Sequence, residues 1–89
     1  MKTSIIAWSA DRLEQLRHGA ISDGYDVVQT FTVEQPYLLE DLLKQVMGEV
    51  LIIECQVIHQ MNDLTVLEQF IKDHPSKEVV VLTTERTAD

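Results

Sequence analysis

Eighty-nine residues make one small domain with a thin stability margin, because a chain of this size buries only about 60–65% of its unfolded surface. The formal charge of −8 argues against a nucleic-acid surface and for solubility and basic partners. No apolar window is long enough to span a membrane, and one cysteine, Cys55, excludes an internal disulfide and fits a reducing cytoplasmic setting.

The first residues, MKTSIIAWSAD, hold an apolar run too short for the core of a secretory signal. Residues 3–9 are short, apolar and β-leaning. In ADRLEQLRHGAISDG, Leu13, Leu16 and Ala20 fall at i, i+3 and i+7 between charges, which predicts a helix. Asp11 with Glu14 three residues on is expected to cap its start, and Gly24 to end it. Residues 25–31, YDVVQTF, are β-branched and aromatic with strand alternation. A second helix is predicted over QPYLLEDLLKQVMG, with Pro36 in its first turn, Gly48 at its end and Leu38, Leu39, Leu42, Leu43 and Val46 on its apolar face.

EVLIIE, residues 49–54, is apolar on both faces, the mark of a central parallel strand. NDLTVLEQFIKDHP places Leu64, Leu67, Phe70 and Ile71 at helical spacing, with Asn62 or Asp63 as cap and Pro75 as stop. Residues 77–85, KEVVVLTTE, read as a fourth strand. Strands alternating with helices predict an α/β domain with a flavodoxin-like, three-layer parallel sheet. The expected strand order is 2-1-3-4. Functional groups gather at the carboxyl ends of the strands, where the strand order reverses. That point lies between the first and third strands, beside AWSAD and ECQVIHQ.

Over nearly the whole chain the pattern resembles a response-regulator receiver domain of two-component signalling. DRLEQLRHGAISDGYDVV resembles the first helix, its Gly-aromatic end and the second strand. VLIIE resembles the third strand, and the resemblance implies that Glu54 stands at the phosphoacceptor position. VVVLTT resembles the fourth strand and implies a switch-like position at Thr83. The departures carry as much meaning. Receivers hold magnesium with an acid pair after the first strand; here Ala7, Trp8 and Ser9 occupy that region, and Asp11 comes too late. Magnesium needs carboxylate oxygens in near-octahedral geometry, and an incoming phosphoryl group needs its charge neutralised. Glutamate also shifts the nucleophile by one methylene, and the lysine ending a fifth strand has no counterpart.

The expectation is therefore a degenerate receiver: no enzyme, no cofactor, no metal, acting through protein contacts. It is similar to the N-terminal atypical receiver domains of TadZ/CpaE-like pilus-assembly ATPases, which implies self-association and localisation of an ATPase. An enzyme, ligand-binding module or phosphocarrier on the same sheet is the alternative, since fold does not fix function. With only four strands, VVVL would be an exposed apolar edge. Either the chain is an N-terminal fragment of a longer protein, or a second copy closes the edge as a homodimer.

For Glu54 three readings stand side by side: a solvated or capping strand-end carboxylate, a fixed charge imitating a phosphoaspartate, or a catalytic acid lacking an evident partner. Cys55 reads as a packed structural thiol in acidic surroundings. His18, His59 and His74 show no ligand spacing with it. Trp8 is expected to fill the space of the missing acids or to pack between domains, Asp11 and Glu14 to be helix-start charges, and Thr83 and Thr84 to satisfy strand-end hydrogen bonds. No Gly-rich phosphate loop is present.

Overall fold

The computed structural model describes residues 1–33, 38–58 and 61–83. Pro36, His59 and Thr84, singled out from sequence, lie outside them. Four strands, β1 (Lys2–Ala7), β2 (Asp26–Thr32), β3 (Val50–Glu54) and β4 (Glu78–Leu82), alternate with three helices, α1 (Ala10–Ser22), α2 (Leu39–Lys44) and α3 (Met61–Asp73). The strands are all parallel in the order β2-β1-β3-β4. The fold is thus the small flavodoxin-like α/β arrangement expected from the alternation.

Strand alternation sorts the core into two layers. Ile5, Val50 and Ile52 pack under α1 with Ala20, Leu13 and Leu16. Ile6, Leu51 and Ile53 face the other way, under Leu39, Leu43, Leu67 and Phe70 of α2 and α3. β1 and β3 are covered on both faces and buried along nearly their whole length; their inner residues are apolar, as central parallel strands favour, except for Thr3, Ser4 and Glu54, which are buried polar groups.

Helix ends differ from the expectation in instructive ways. Ser9, not Asp11, caps α1: its hydroxyl accepts from the Arg12 N–H at 3.3 Å. Asp11 sits inside the first turn, one residue past the helix start. The carboxyl end of α1 closes as a Schellman motif, with Gly24 at φ +94°. The Tyr25 N–H reaches the Ala20 carbonyl at 3.0 Å and the Gly24 N–H reaches that of Ile21 at 3.0 Å. Asn62 and Asp63 lie within the first turn of α3 and do not precede it.

Among the described residues the second helix covers only Leu39–Lys44 and ends well before Gly48, where the sequence predicted its end. Its apolar spacing continues to Val46, which is buried, but the chain leaves the helix because side chains from the sheet capture its backbone. The Gln29 amide donates to the Gln45 carbonyl at 2.8 Å, and its oxygen accepts from the Met47 N–H at 2.7 Å. Ser4 completes the clamp: its hydroxyl donates to Gln29 at 2.7 Å and accepts from the Gly48 N–H at 3.0 Å. Gly48 is required there, since a Cβ would stand 2.8 Å from the Ser4 nitrogen and 2.9 Å from the Lys2 carbonyl. β4 likewise ends at Leu82, earlier than the sequence suggested.

Candidate functional site

The carboxyl edge of the sheet, where β1 and β3 end side by side, brings together the residues singled out from sequence. Glu54 is the last residue of β3 and shares its face with Val50 and Ile52, so its side chain turns toward α1. It is fully buried, which overturns the solvated strand-end reading. A buried carboxylate is tolerated only when it is paired and hydrogen-bonded. Both of its oxygens are engaged. Oε1 accepts from the Trp8 backbone N–H at 2.8 Å, and Oε2 from Arg12 Nε at 2.6 Å.

Arg12 is the residue that sequence reasoning missed. Ser9 starts the helix so that Arg12 falls in its first turn, directly over the end of β3. Its guanidinium spans two environments. Nε meets the buried carboxylate, Nη1 bonds Gln15, and about a third of the side chain stays in solvent. Such charge-assisted bonds are short and roughly twice as strong as neutral ones. Glu54 therefore ties three elements together: β3 by its own backbone, the β1–α1 loop through Trp8, and α1 through Arg12.

The stretch Ala7, Trp8 and Ser9 serves this arrangement without supplying acids. Ala7 is buried, and its carbonyl accepts from the Val33 N–H at 3.2 Å. Trp8 gives Glu54 a backbone donor and is itself 37% exposed. The side chain that meets Glu54 is the Arg12 guanidinium. Ser9 caps the helix that carries Arg12. These residues do not fit a magnesium site: the one carboxylate has both oxygens committed, and its neighbours offer no acid oxygens.

The other candidates lie apart from Glu54. Thr83 is exposed one residue beyond Leu82, the register partner of Glu54, and no hydrogen bond joins it to a described residue. Cys55 is half-buried at the start of a single 3-10 turn, Cys55–Val57. His18 sits exposed on α1 against Glu14, and His74 follows α3 with Nδ1 3.0 Å from the Phe70 carbonyl. Among the described residues, no group of three His, Cys, Asp or Glu side chains is placed to hold a metal, and no helix is long and apolar enough to cross a membrane.

A cleft of about 560 Å³ separates α2 from α3, floored by Leu43, Val66 and Phe70 and edged by Glu40, Lys44 and Asp73. It lies on the opposite face of the sheet from the Glu54 side chain. Compared with known proteins, the chain matches no family model, no curated protein and no solved structure.

Proposed function

We propose that the chain is a non-catalytic, receiver-like interaction domain that acts through protein contacts and without phosphorylation. One observation carries this reading. At the position that the receiver resemblance assigns to the phosphoacceptor stands a carboxylate that is buried and fully engaged. Arg12 supplies the positive charge that a metal ion would supply in an active receiver. A nucleophile needs a free lone pair and a route for its electrophile. Glu54 would have to break its ion pair and leave the core to gain either. The same neutralisation argues against Glu54 as a fixed phosphoaspartate mimic, since its charge is spent inside the domain.

What remains for the site is architectural: it fixes α1 and the β1–α1 loop against the sheet. Within the receiver-like class, the small parallel sheet and the missing acid pair favour a place beside the N-terminal domains of TadZ/CpaE-like ATPases, in the cytoplasm and as a self-associating unit. The test is direct. Incubation with acetyl phosphate and magnesium, or with beryllofluoride and magnesium, should leave mass and melting temperature unchanged. A magnesium-dependent phosphoryl adduct or thermal shift overturns the reading.

A further inference from the structure

The two ends of α1 are held in different ways. From Ala10 to Gly19 no residue is buried, and Leu13 and Leu16 are only partly covered where they meet the layer of Ile5, Val50 and Ile52. Ala20 is the one buried residue of the helix. Just beyond it the Schellman turn closes the end, with the Tyr25 N–H on the Ala20 carbonyl at 3.0 Å. The carboxyl end is thus anchored by burial and by backbone bonds. The amino end has a polar tie instead. Glu54 takes Arg12 Nε at 2.6 Å and, from the loop before the helix, the Trp8 N–H at 2.8 Å.

Gly19 stands between the two ends. Glycine inside a helix disfavours the helix about fivefold relative to alanine. No close contact demands it, since a Cβ there would meet nothing within 4 Å. An apolar groove of about 250 Å³ also runs beside α1 at this point. Leu16, Gly19 and Ala20 lie on one wall, and Ile52, Val80 and Leu82 form the floor. The helix has open space along its flank where its backbone is weakest.

We propose that the amino-terminal part of α1, Ala10 to His18, is a lid over the sheet, hinged at Gly19 and latched by Glu54. Local opening is drawn from segments with slight burial, and hinges fall at the few residues that absorb the backbone change. Lifting the lid breaks the Glu54–Arg12 pair and frees the Trp8 N–H. It takes Leu13 and Leu16 off the layer below, and that layer then runs on into the groove. Glu54 keeps the lid shut because a buried carboxylate without its partners is costly, so the lid can lift only as water reaches Glu54. Ala20 and the turn at Gly24 stay in place. The inference goes beyond the non-catalytic reading and does not rest on it.

Amide hydrogen exchange under native conditions, in increasing urea, tests the lid in the wild-type chain. The amides of Leu13 to His18 should exchange about tenfold or more faster than those of Asp23, Gly24, Tyr25 and β3. They should share one opening equilibrium and depend weakly on urea, because the opening exposes little surface. Glu54→Gln should speed their exchange about thirtyfold, and Gly19→Ala should slow it about fivefold. Circular dichroism checks that each variant folds. Arg12→Gln removes the latch from its solvent side and replaces Glu54→Gln if that variant does not fold.

Four results overturn the proposal. One is exchange of Leu13 to His18 at the rate and urea dependence of β3, which means that α1 opens only with the whole domain. A second is a steady gradient from Leu13 to His18, which is fraying. A third is exchange of Asp23, Gly24 and Tyr25 together with Leu13 to His18, or a Gly19→Ala variant no slower than wild type, which removes the hinge. The fourth is an unchanged rate in the latch variant. The non-catalytic reading is judged separately, by the mass of the acetyl-phosphate-treated chain.

Discussion

At the amino end of the sheet, Ser4 and Gln29 hold the loop after α2 through neutral hydrogen bonds to Gln45, Met47 and Gly48. At the carboxyl end, Glu54 and Arg12 hold α1 and the β1–α1 loop through a buried ion pair. Both clusters tie strands of the sheet to loops and helices distant in the chain, β1 and β2 to the loop before β3 and β3 to the start of α1, and the described residues leave no buried polar side-chain atom without a partner. They differ in what they tolerate. The neutral cluster works by close approach, backbone against backbone, so it is sensitive to size. The charged cluster works by compensation, so it is sensitive to charge and forgiving of shape on its solvent side.

Gly48→Ala breaks the first cluster most severely. The added Cβ meets the Ser4 nitrogen and hydroxyl and the Lys2 carbonyl, and two of those three atoms are backbone that cannot rotate away. We expect a loss of about 3 kcal/mol, or on the order of 10–20 °C in melting temperature for a domain of this size. A thermal melt checks it, and a change of only a few degrees would show that the loop can slide off β1.

Glu54→Gln keeps the shape of the second cluster and removes its charge. The amide oxygen can still accept from Trp8, but Arg12 loses its counter-ion. Breaking a buried pair costs about 3–5 kcal/mol. Arg12 is about one third exposed and can turn to water, so the expected loss is smaller, about 2 kcal/mol. The double variant with Arg12→Gln sharpens the point. Its loss should fall below the sum of the two single losses, the sign of direct coupling. Additive losses in chemical denaturation would mean that the two groups do not act as a pair.

The strand order, the two-layer core and the placement of Glu54 at the reversal point were all readable from alternation and spacing. Arg12 was readable too, by a step of parity. Glu54 shares its strand face with Val50 and Ile52, which is the face that α1 covers. A buried carboxylate there needs a cation, and Arg12 is the only basic residue between positions 8 and 16. The short α2 was not readable. Leu38, Leu39, Leu42, Leu43 and Val46 keep helical spacing throughout. What stops the helix is Gln29, sixteen residues away from Gln45 in the chain. Helical periodicity reports local preference, and a long-range hydrogen bond outweighs it.

Ser4→Ala should cost less than either earlier change, about 1–2 kcal/mol. It leaves the Gly48 N–H without its acceptor and removes one of the donors to Gln29. Gln29 keeps its bonds to Gln45 and Met47, so the loop should stay in place. Amide hydrogen exchange at Gly48 is the sensitive readout. Faster exchange confined to Gly48 and its neighbours is expected, whereas faster exchange throughout β3 would mean that Ser4 holds the strand itself.

The smallest effect is expected at a third cluster, which shows what burial adds to a charge pair. On the outer surface of α1, Glu14 bonds Arg17 at 2.9 Å and lies 3.3 Å from His18 Nε2. The hydrogen bond and the charge of Arg17 hold the Glu14 carboxyl below its ordinary range, with His18 adding less. A carboxyl lowered in the folded state contributes stability above its unfolded pKa and loses it as pH falls through the folded value. Solvent and salt screen that contribution here, because all three side chains are largely exposed. Glu14→Gln should therefore leave the melting temperature nearly unchanged at neutral pH, and any difference should vanish in acid or high salt. If Glu14→Gln cost as much as Glu54→Gln, burial would not be what gives the Glu54–Arg12 pair its weight, and the contrast between the two ends of the sheet would rest on shape alone.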